Sequence, residues 1–188
     1  MTDTSFIKIY DNALSTNSCT SLINIFESNN VKKVPGVVID KGKPIIKPKE
    51  KKSLEISNCF FNSKDKNIQS IVNIFKTSLL KNVSAYVEEY SFLKSMNKFT
   101  FNDGFTFKKF KSKKDGYKVW HMEQTVQSRI IVWAFYLNDA EGTEFKYFPT
   151  VEAIEGRLVV FPAGWTHAHR GAFNKKVKYI ITGWLVTL

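Results

Sequence analysis

The spacing of apolar positions divides the chain into a helical first half and a strand-rich second half. In the opening FIKIYDNALS, Phe6 to Tyr10 predicts a short strand running into a turn at Asp11 and Asn12. Leu22, Ile23, Ile25 and Phe26 then recur at helical spacing, and Ser15 or Thr16 can cap that helix by accepting from its first-turn N–H groups. A second, longer helix is predicted from Asp65 to about Tyr90, where Ile68, Ile71, Val72, Phe75, Leu79, Leu80 and Val83 recur every three or four residues. Between the helices, Val31 to Ser57 mixes Pro35, Gly36, Gly42, Pro44 and Pro48 with lysines and short β-branched runs, which reads as exposed strands and loops. Its Val31 to Lys52 part is either a lid at the mouth of a site or an ordinary solvated loop.

After Tyr90 the period becomes strand-like and stays so. Candidate strands are Phe99 to Lys111, Tyr117 to Glu123, Arg129 to Leu137, Thr143 to Phe148, Glu152 to Ile154, Gly156 to Phe161, Ala168 to Gly171 and Val177 to Thr187. Short strands separated by turn signals, after two helices, predict an α+β, mainly β domain whose β half is a sandwich or jelly roll. Trp120, Trp133, Phe135, Phe145 and Phe161 are the expected aromatic core.

Composition narrows the class. A length of 188 residues with 43% hydrophobic content supports one sizeable core, so a single domain over 1–188 is expected. No apolar run approaches a membrane span, and the N-terminus lacks the layout of a secretory signal, which predicts a cytoplasmic protein. Cys19 and Cys59 are too few and too far apart for a disulfide framework or a zinc site and are expected to be buried thiols. The net charge of +11 raises nucleic acid as a partner. Against that, only three of the 28 basic residues are arginines (Arg129, Arg157 and Arg170), a lysine bias that AT-rich codon usage, as in some phages, also produces. A basic patch could form only at Lys41 to Lys52 or Lys108 to Lys118, and no nucleic-acid-binding motif accompanies either, so that partner is not favoured.

Candidate chemistry lies with the three histidines, all in the β half. His121 and Glu123 in YKVWHMEQ are two apart, so on a strand both side chains leave the same face and can converge on one ion. FPAGWTHAHRG offers His167 or His169 as a third ligand. Two imidazoles and a carboxylate on one face of an octahedron leave positions for co-substrate and oxygen, as non-haem iron(II) oxygenases require. Lys178 stands out in the apolar run VKYIITGWLV, on the same strand face as Ile180, Thr182 and Trp184. An inward lysine there is costly unless an anion meets it. Arg129 and Arg170 are each either substrate contacts or surface ion pairs.

These pieces, in order, resemble the prolyl 4-hydroxylase-like branch of the Fe(II)/2-oxoglutarate-dependent oxygenases, including members from marine phages and bacteria. GYKVWHMEQ is similar to the segment bearing the first two ligands, with Glu123 where aspartate is usual. WAFYLND resembles the core strand ending in Tyr-Leu-Asn, EGTEF its Gly-rich turn into a Thr-x-Phe strand, and GRLVVFPAGWTHAHRGAFNKKVKYIITGW its closing hairpin. The likeness runs through most of 105–188, and Ile9 to Asn12 followed by a helix resembles the family's entry segment. It implies a double-stranded β-helix (jelly roll, cupin-like) with the N-terminal helices packed on one sheet: helical support and outer strands in 1–95, the catalytic part in 96–188. It implies Fe(II), 2-oxoglutarate and O2, with ascorbate as an accessory reductant, and metal ligands His121, Glu123 and His169. His169 is preferred to His167 because the family's distal ligand stands nine residues before the basic group that binds the co-substrate, the separation of His169 and Lys178. Tyr136 would add a donor to the same carboxylate, and Tyr117 would border the pocket or simply pack. The implied reaction hydroxylates an unactivated C–H bond, of a peptidyl proline or a small molecule, and releases succinate and CO2. Two rival readings are a cupin-like metal protein without 2-oxoglutarate chemistry and a basic nucleic-acid-binding or adaptor domain.

Overall fold

The computed structural model describes residues 4–28, 31–56, 64–96, 98–101, 105–111, 115–125, 128–173 and 175–188. In chain order the elements are β1 (Lys8–Tyr10), α1 (Thr16–Glu27), β2 (Val34–Pro35), β3 (Val38–Asp40), β4 (Lys43–Ile45), β5 (Lys51–Lys52), β6 (Leu54–Ile56) and α2 (Lys66–Glu89). There follow β7 (Phe99–Thr100), β8 (Phe105–Phe110), β9 (Gly116–Tyr117), β10 (Arg129–Tyr136), β11 (Ala140–Phe145), β12 (Val151–Ala153), β13 (Leu158–Pro162), β14 (His169–Gly171) and β15 (Lys178–Thr187).

Each helix begins at a side-chain cap, Ser15 for α1, one of the two caps expected, and Asp65 for α2. The Ser15 side chain accepts from the Ser18 N–H, and the Asp65 side chain accepts from Asn67 and Ile68. Each thereby satisfies first-turn donors that have no partner within the helix. The buried face of α1 is Cys19, Leu22 and Phe26, and that of α2 is Val72, Phe75, Leu79, Val83 and Tyr86. Leu80, counted on the apolar face from its spacing, is instead 52% exposed. It lies one position past Leu79, on the shoulder of the stripe.

The strands form an antiparallel major sheet in the order β1-β13-β10-β15-β8-β6-β2, with β7 also on β15, and a minor sheet β12-β11-β14. One face of the major sheet meets the helices. Phe107, Ile131, Trp133, Phe135, Ile181 and Leu185 pack there against the buried residues of α1 and α2. The other face meets the minor sheet across Val132, Ala134, Tyr136, Phe145, Val151, Val159, Phe161 and Trp184. Fully burying one such aromatic or aliphatic side chain contributes about 1.5–3 kcal/mol. The result is a double-stranded β-helix with two helices laid on its major sheet, the architecture expected from the strand periodicity and the family resemblance.

Three expectations need correction. Tyr117 to Glu123 is not one strand: β9 ends at Tyr117, and His121 rejoins the sheet only through an isolated bridge to His169. Trp120 is 39% exposed, and the Arg170 guanidinium lies 4.5 Å over its ring rather than in the core. The segment before α2 has the expected strands and loops but is not all exposed, because β6 is hydrogen-bonded into the major sheet beside β8, with Lys51, Ser53 and Glu55 buried. The prolines and glycines mark its turns, but strands this short carry too little periodicity to show which side is buried. Cys19 is buried as expected, whereas Cys59 lies outside the described residues.

Candidate metal and co-substrate site

Two backbone devices bring distant residues together. The His121 N–H donates to the His169 carbonyl at 3.0 Å, and the His169 N–H donates back to His121 at 2.9 Å, a closed pair that fixes the two segments side by side. The Glu123 N–H donates to the Ala163 carbonyl at 3.1 Å, which anchors the turn after His121. Glu123 therefore faces the histidines because of that turn, and not because of strand alternation.

The ligating atoms of His121, Glu123 and His169 all lie within 4.8 Å of one another. Glu123 Oε1 is 3.6 Å from His121 Nε2 and 3.9 Å from His169 Nε2. Nδ1 of His121 meets the Val119 carbonyl at 3.0 Å, and Nδ1 of His169 meets the His167 carbonyl at 2.9 Å. A ring nitrogen donating to a carbonyl sets the tautomer, so both Nε2 lone pairs are directed to the shared centre. His167 does not join them. Its Nε2 meets the Ser5 carbonyl at 2.7 Å, its Nδ1 meets Thr166 Oγ1 at 2.9 Å, and its ring stacks on Phe148.

The electrostatics favour the ligating protonation states. Burial alone would raise the Glu123 carboxyl, but its contact with His121 and the neighbouring Lys108 and His169 hold it well below the usual carboxylate range. Burial, reinforced by the neighbouring His121, pushes His169 down to about 4 and keeps its ring neutral. Two imidazoles and one ionised carboxylate suit a divalent first-row metal, so these residues fit an iron(II) centre.

The three side chains line a narrow cavity together with Lys178, Tyr117, Thr143, Phe110 and Lys108. Lys178 is buried on the inward face of β15, and its ammonium donates to the Gly142 carbonyl at 2.8 Å. That carbonyl is aimed by an irregularity in β11, whose register on β12 shifts between Ala140 and Thr143. A side chain at Gly142 would collide with the Val151 carbonyl, only 1.9 Å from where its Cβ would stand. Desolvation pushes Lys178 down to about 7, partly opposed by Glu141.

The remaining expected residues take different places. Tyr117 lines the cavity and stacks on the His121 ring at 3.5 Å between centroids. Tyr136 lies behind it, with its hydroxyl 2.7 Å from Thr143 Oγ1 and its ring 5.3 Å from the Lys178 ammonium. The wall residue at that point is Thr143, already visible in the Thr-x-Phe of EGTEF but not singled out. Arg129 reaches Glu123 at 3.3 Å and stacks 3.5 Å over Trp184, while Arg170 pairs with Glu144 at 2.8 Å. Lys108 is the main omission: it reads as part of a surface lysine run, yet it is 8% exposed and lines the cavity.

Comparison with known proteins agrees with this geometry. The fold is that of prolyl hydroxylases. A viral collagen prolyl hydroxylase from Paramecium bursaria Chlorella virus-1, solved with 2-oxoglutarate, superposes with a TM-score of 0.67 at 14% identity, covering 99% of this chain and 98% of that one. A Trichoplax adhaerens prolyl hydroxylase in complex with a hypoxia-inducible-factor peptide gives 0.69 at 13% identity, covering 98% and 84%. The Pseudomonas putida prolyl-4-hydroxylase gives 0.67 at 12% identity, covering 97% and 94%. Residues 105–186, a segment that holds the whole candidate metal cluster, match the model of the 2OG-Fe(II) oxygenase superfamily. No curated protein matches the sequence.

Proposed function

We propose that the chain is an iron(II)- and 2-oxoglutarate-dependent hydroxylase in which His121, Glu123 and His169 hold the metal and Lys178 receives the far carboxylate of the co-substrate. The observation that carries this reading is the buried Lys178 ammonium, standing in the same cavity as the histidine and glutamate cluster and engaged by one carbonyl alone among the described residues. A metal-binding jelly roll that does not use 2-oxoglutarate has no reason to keep a cation there. A dicarboxylate anchored at one end by a metal would bring its other carboxylate to it.

Bound iron(II) with 2-oxoglutarate and O2 supplies an oxidant for a C–H bond, one oxygen atom entering the product and the other the succinate formed with CO2. The chain's own part is placement. The Nδ1 contacts of His121 and His169 hold the ring orientations, and Tyr117 stacked on His121 prevents that ring from turning. Phe110, Val132, Ala134 and Phe161 make the rest of the wall apolar, excluding water from the reacting centre. Thr143 Oγ1, which shares a hydrogen bond with Tyr136, borders the cavity and offers a second polar contact beside Lys178. Peptidyl proline, given the prolyl hydroxylases that share the fold, and small molecules are the two substrate classes to try, with ascorbate present as reductant. Among the described residues no helix is long and apolar enough to cross a membrane, and we place the reaction in the cytoplasm.

The test is anaerobic titration with iron(II) and 2-oxoglutarate, followed by the visible charge-transfer band of the chelate. Wild type should develop the band, and His169→Ala should abolish it. Outer-shell partners already cost roughly 10–100-fold in affinity or activity, so this ligand variant should lose at least about a hundredfold in succinate formation. His167→Ala should keep the band. A wild-type protein without one rules the proposal out.

A further inference from the structure

Beside the candidate metal cluster lies a second, larger cavity of about 400 Å³, lined by His121, Glu123, Tyr117, Lys108, Trp184 and Arg129 among others. Its size is that of a small-ligand site. Because Lys108 lines both cavities, a molecule filling the larger one meets that side chain next to the metal ligands.

The polar groups of this wall are unequally served. Lys51 is buried in an ion pair with Glu55 at 2.8 Å and also donates to the Val37 carbonyl. Glu55 in turn accepts from Ser53 at 2.7 Å. Arg129 is stacked on Trp184 and bonded to Glu123. Lys108 sits opposite Glu55 across β6 and β8, and it feels Glu55 and Glu123 as nearby charges. Its ammonium nonetheless makes no hydrogen bond or ion pair among the described residues, and it stands 6.0 Å from the Trp184 ring. Burial and the neighbouring Lys51 push it down to about 8. The Trp184 indole N–H is also buried without an acceptor among the described residues. A buried cation and a buried donor left without partners are destabilising unless a ligand supplies the acceptor.

We propose that Lys108 and Trp184 form a carboxylate subsite for the substrate, so that the hydroxylated C–H bond belongs to a molecule carrying a free carboxylate close to the reacting carbon. One unengaged ammonium matches one monoanion, and the Trp120, Tyr117 and Trp184 rings of the cavity suit an apolar or ring-shaped body behind it. A proline inside a peptide has no such carboxylate, whereas an amino-acid-like acid has. The inference rests on the oxygenase reading, since it takes the larger cavity as the substrate's.

Benzoate and benzamide, matched in shape and different in charge, are suitable probes. Each is titrated anaerobically into protein holding iron(II) and saturating 2-oxoglutarate, so that the Lys178 end is already filled, and tryptophan fluorescence is followed. Wild type should bind benzoate at least tenfold more tightly than benzamide. Lys108→Met should erase the difference and Lys108→Arg should keep most of it. Exchanging an unpaired buried cation for an apolar side chain of similar length is not expected to unfold the protein. Equal affinities in wild type, no benzoate binding up to concentrations that fill millimolar sites, or a preference that persists in Lys108→Met would each overturn the subsite. The charge-transfer band is recorded in the same cuvette: discrimination without the band would sink the oxygenase reading, and the band without discrimination would sink this one.

Discussion

The two faces of the major sheet are built from alternate residues of the same strands, yet they answer to different demands. On β10, Ile131, Trp133 and Phe135 point to the helices, while Val132, Ala134 and Tyr136 point between the sheets. On β15, Ile181 and Leu185 take the helix side, and Lys178 and Thr182 lie buried on the other. The helix side is filled by interlocked aromatic rings, with Phe75 centred 5.3 Å from Phe135 and 6.0 Å from Trp133. The inner side carries smaller or polar groups that leave cavities and bury two ammoniums, Lys108 and Lys178. One face stabilises the molecule, and the other buries charge at a cost that the proposed co-substrate would offset.

If that division is right, the largest stability loss should come from the helix side. Phe135 is fully buried, and Phe135→Ala should cost about 3–5 kcal/mol through lost transfer energy and the cavity left behind. That is a large share of a typical domain stability of roughly 5–15 kcal/mol. A denaturant titration giving a loss below about 1 kcal/mol would show that the helices are not what holds the sheet.

The inner face should respond in the opposite sense. Lys178→Met removes the proposed partner of the co-substrate's far carboxylate, so affinity for 2-oxoglutarate should fall by about 2 kcal/mol or more, roughly thirtyfold. In the absence of co-substrate the same variant should melt at an equal or higher temperature, since it removes a buried charge. Weaker binding together with lower stability would mean that Lys178 supports the fold, and the two faces would no longer be distinguishable.

How much of this was legible in the sequence follows the same division. The helix-side core was readable because Phe75, Leu79, Trp133 and Phe135 repeat with the period of their elements, and the Ser15 cap is local chemistry. Lys178 was readable too, as a charge inside an apolar alternation. Lys108 obeys the same rule within FTFKKF, between Phe107 and Phe110, but the lysines that follow it made the stretch look like a solvated surface. Glu55 and Lys51 were hidden for a different reason. Their burial depends on β6 pairing with β8 and β5 with β9, contacts between segments far apart in the chain that no local pattern specifies. Glu123 stands beside the histidines for a reason other than the expected strand alternation, because a turn anchored to Ala163 orients it. Of the basic stretches, Lys52 is paired with Asp115, Lys47 with Asp40, and Lys109 with Glu27, so much of their charge is spent inside the molecule.

The smallest expected effect is also the sharpest test of the inner face, because it has a sign. Burial leaves Lys178 with a pKa of about 7 in the free protein, below its ordinary value. An anion meeting the ammonium favours the charged form, so the bound state titrates higher. Below pH 7 the proton is already in place, and affinity for 2-oxoglutarate should be flat with respect to this group. Above pH 7 each binding event must take up a proton, and the dissociation constant should rise up to about tenfold, or about 1.4 kcal/mol, per pH unit until the bound-state value is reached. Stability of the free protein moves the other way over the same range. The unfolded chain holds the Lys178 proton up to about pH 10 and the folded chain only to about 7, so this group's contribution to stability grows as pH rises between them. Calorimetric titration in buffers of different ionisation enthalpy should therefore detect proton uptake at pH 8, and Lys178→Met should abolish it. Uptake that survives in the variant would assign the proton to another group and remove Lys178 from the co-substrate's end of the cavity.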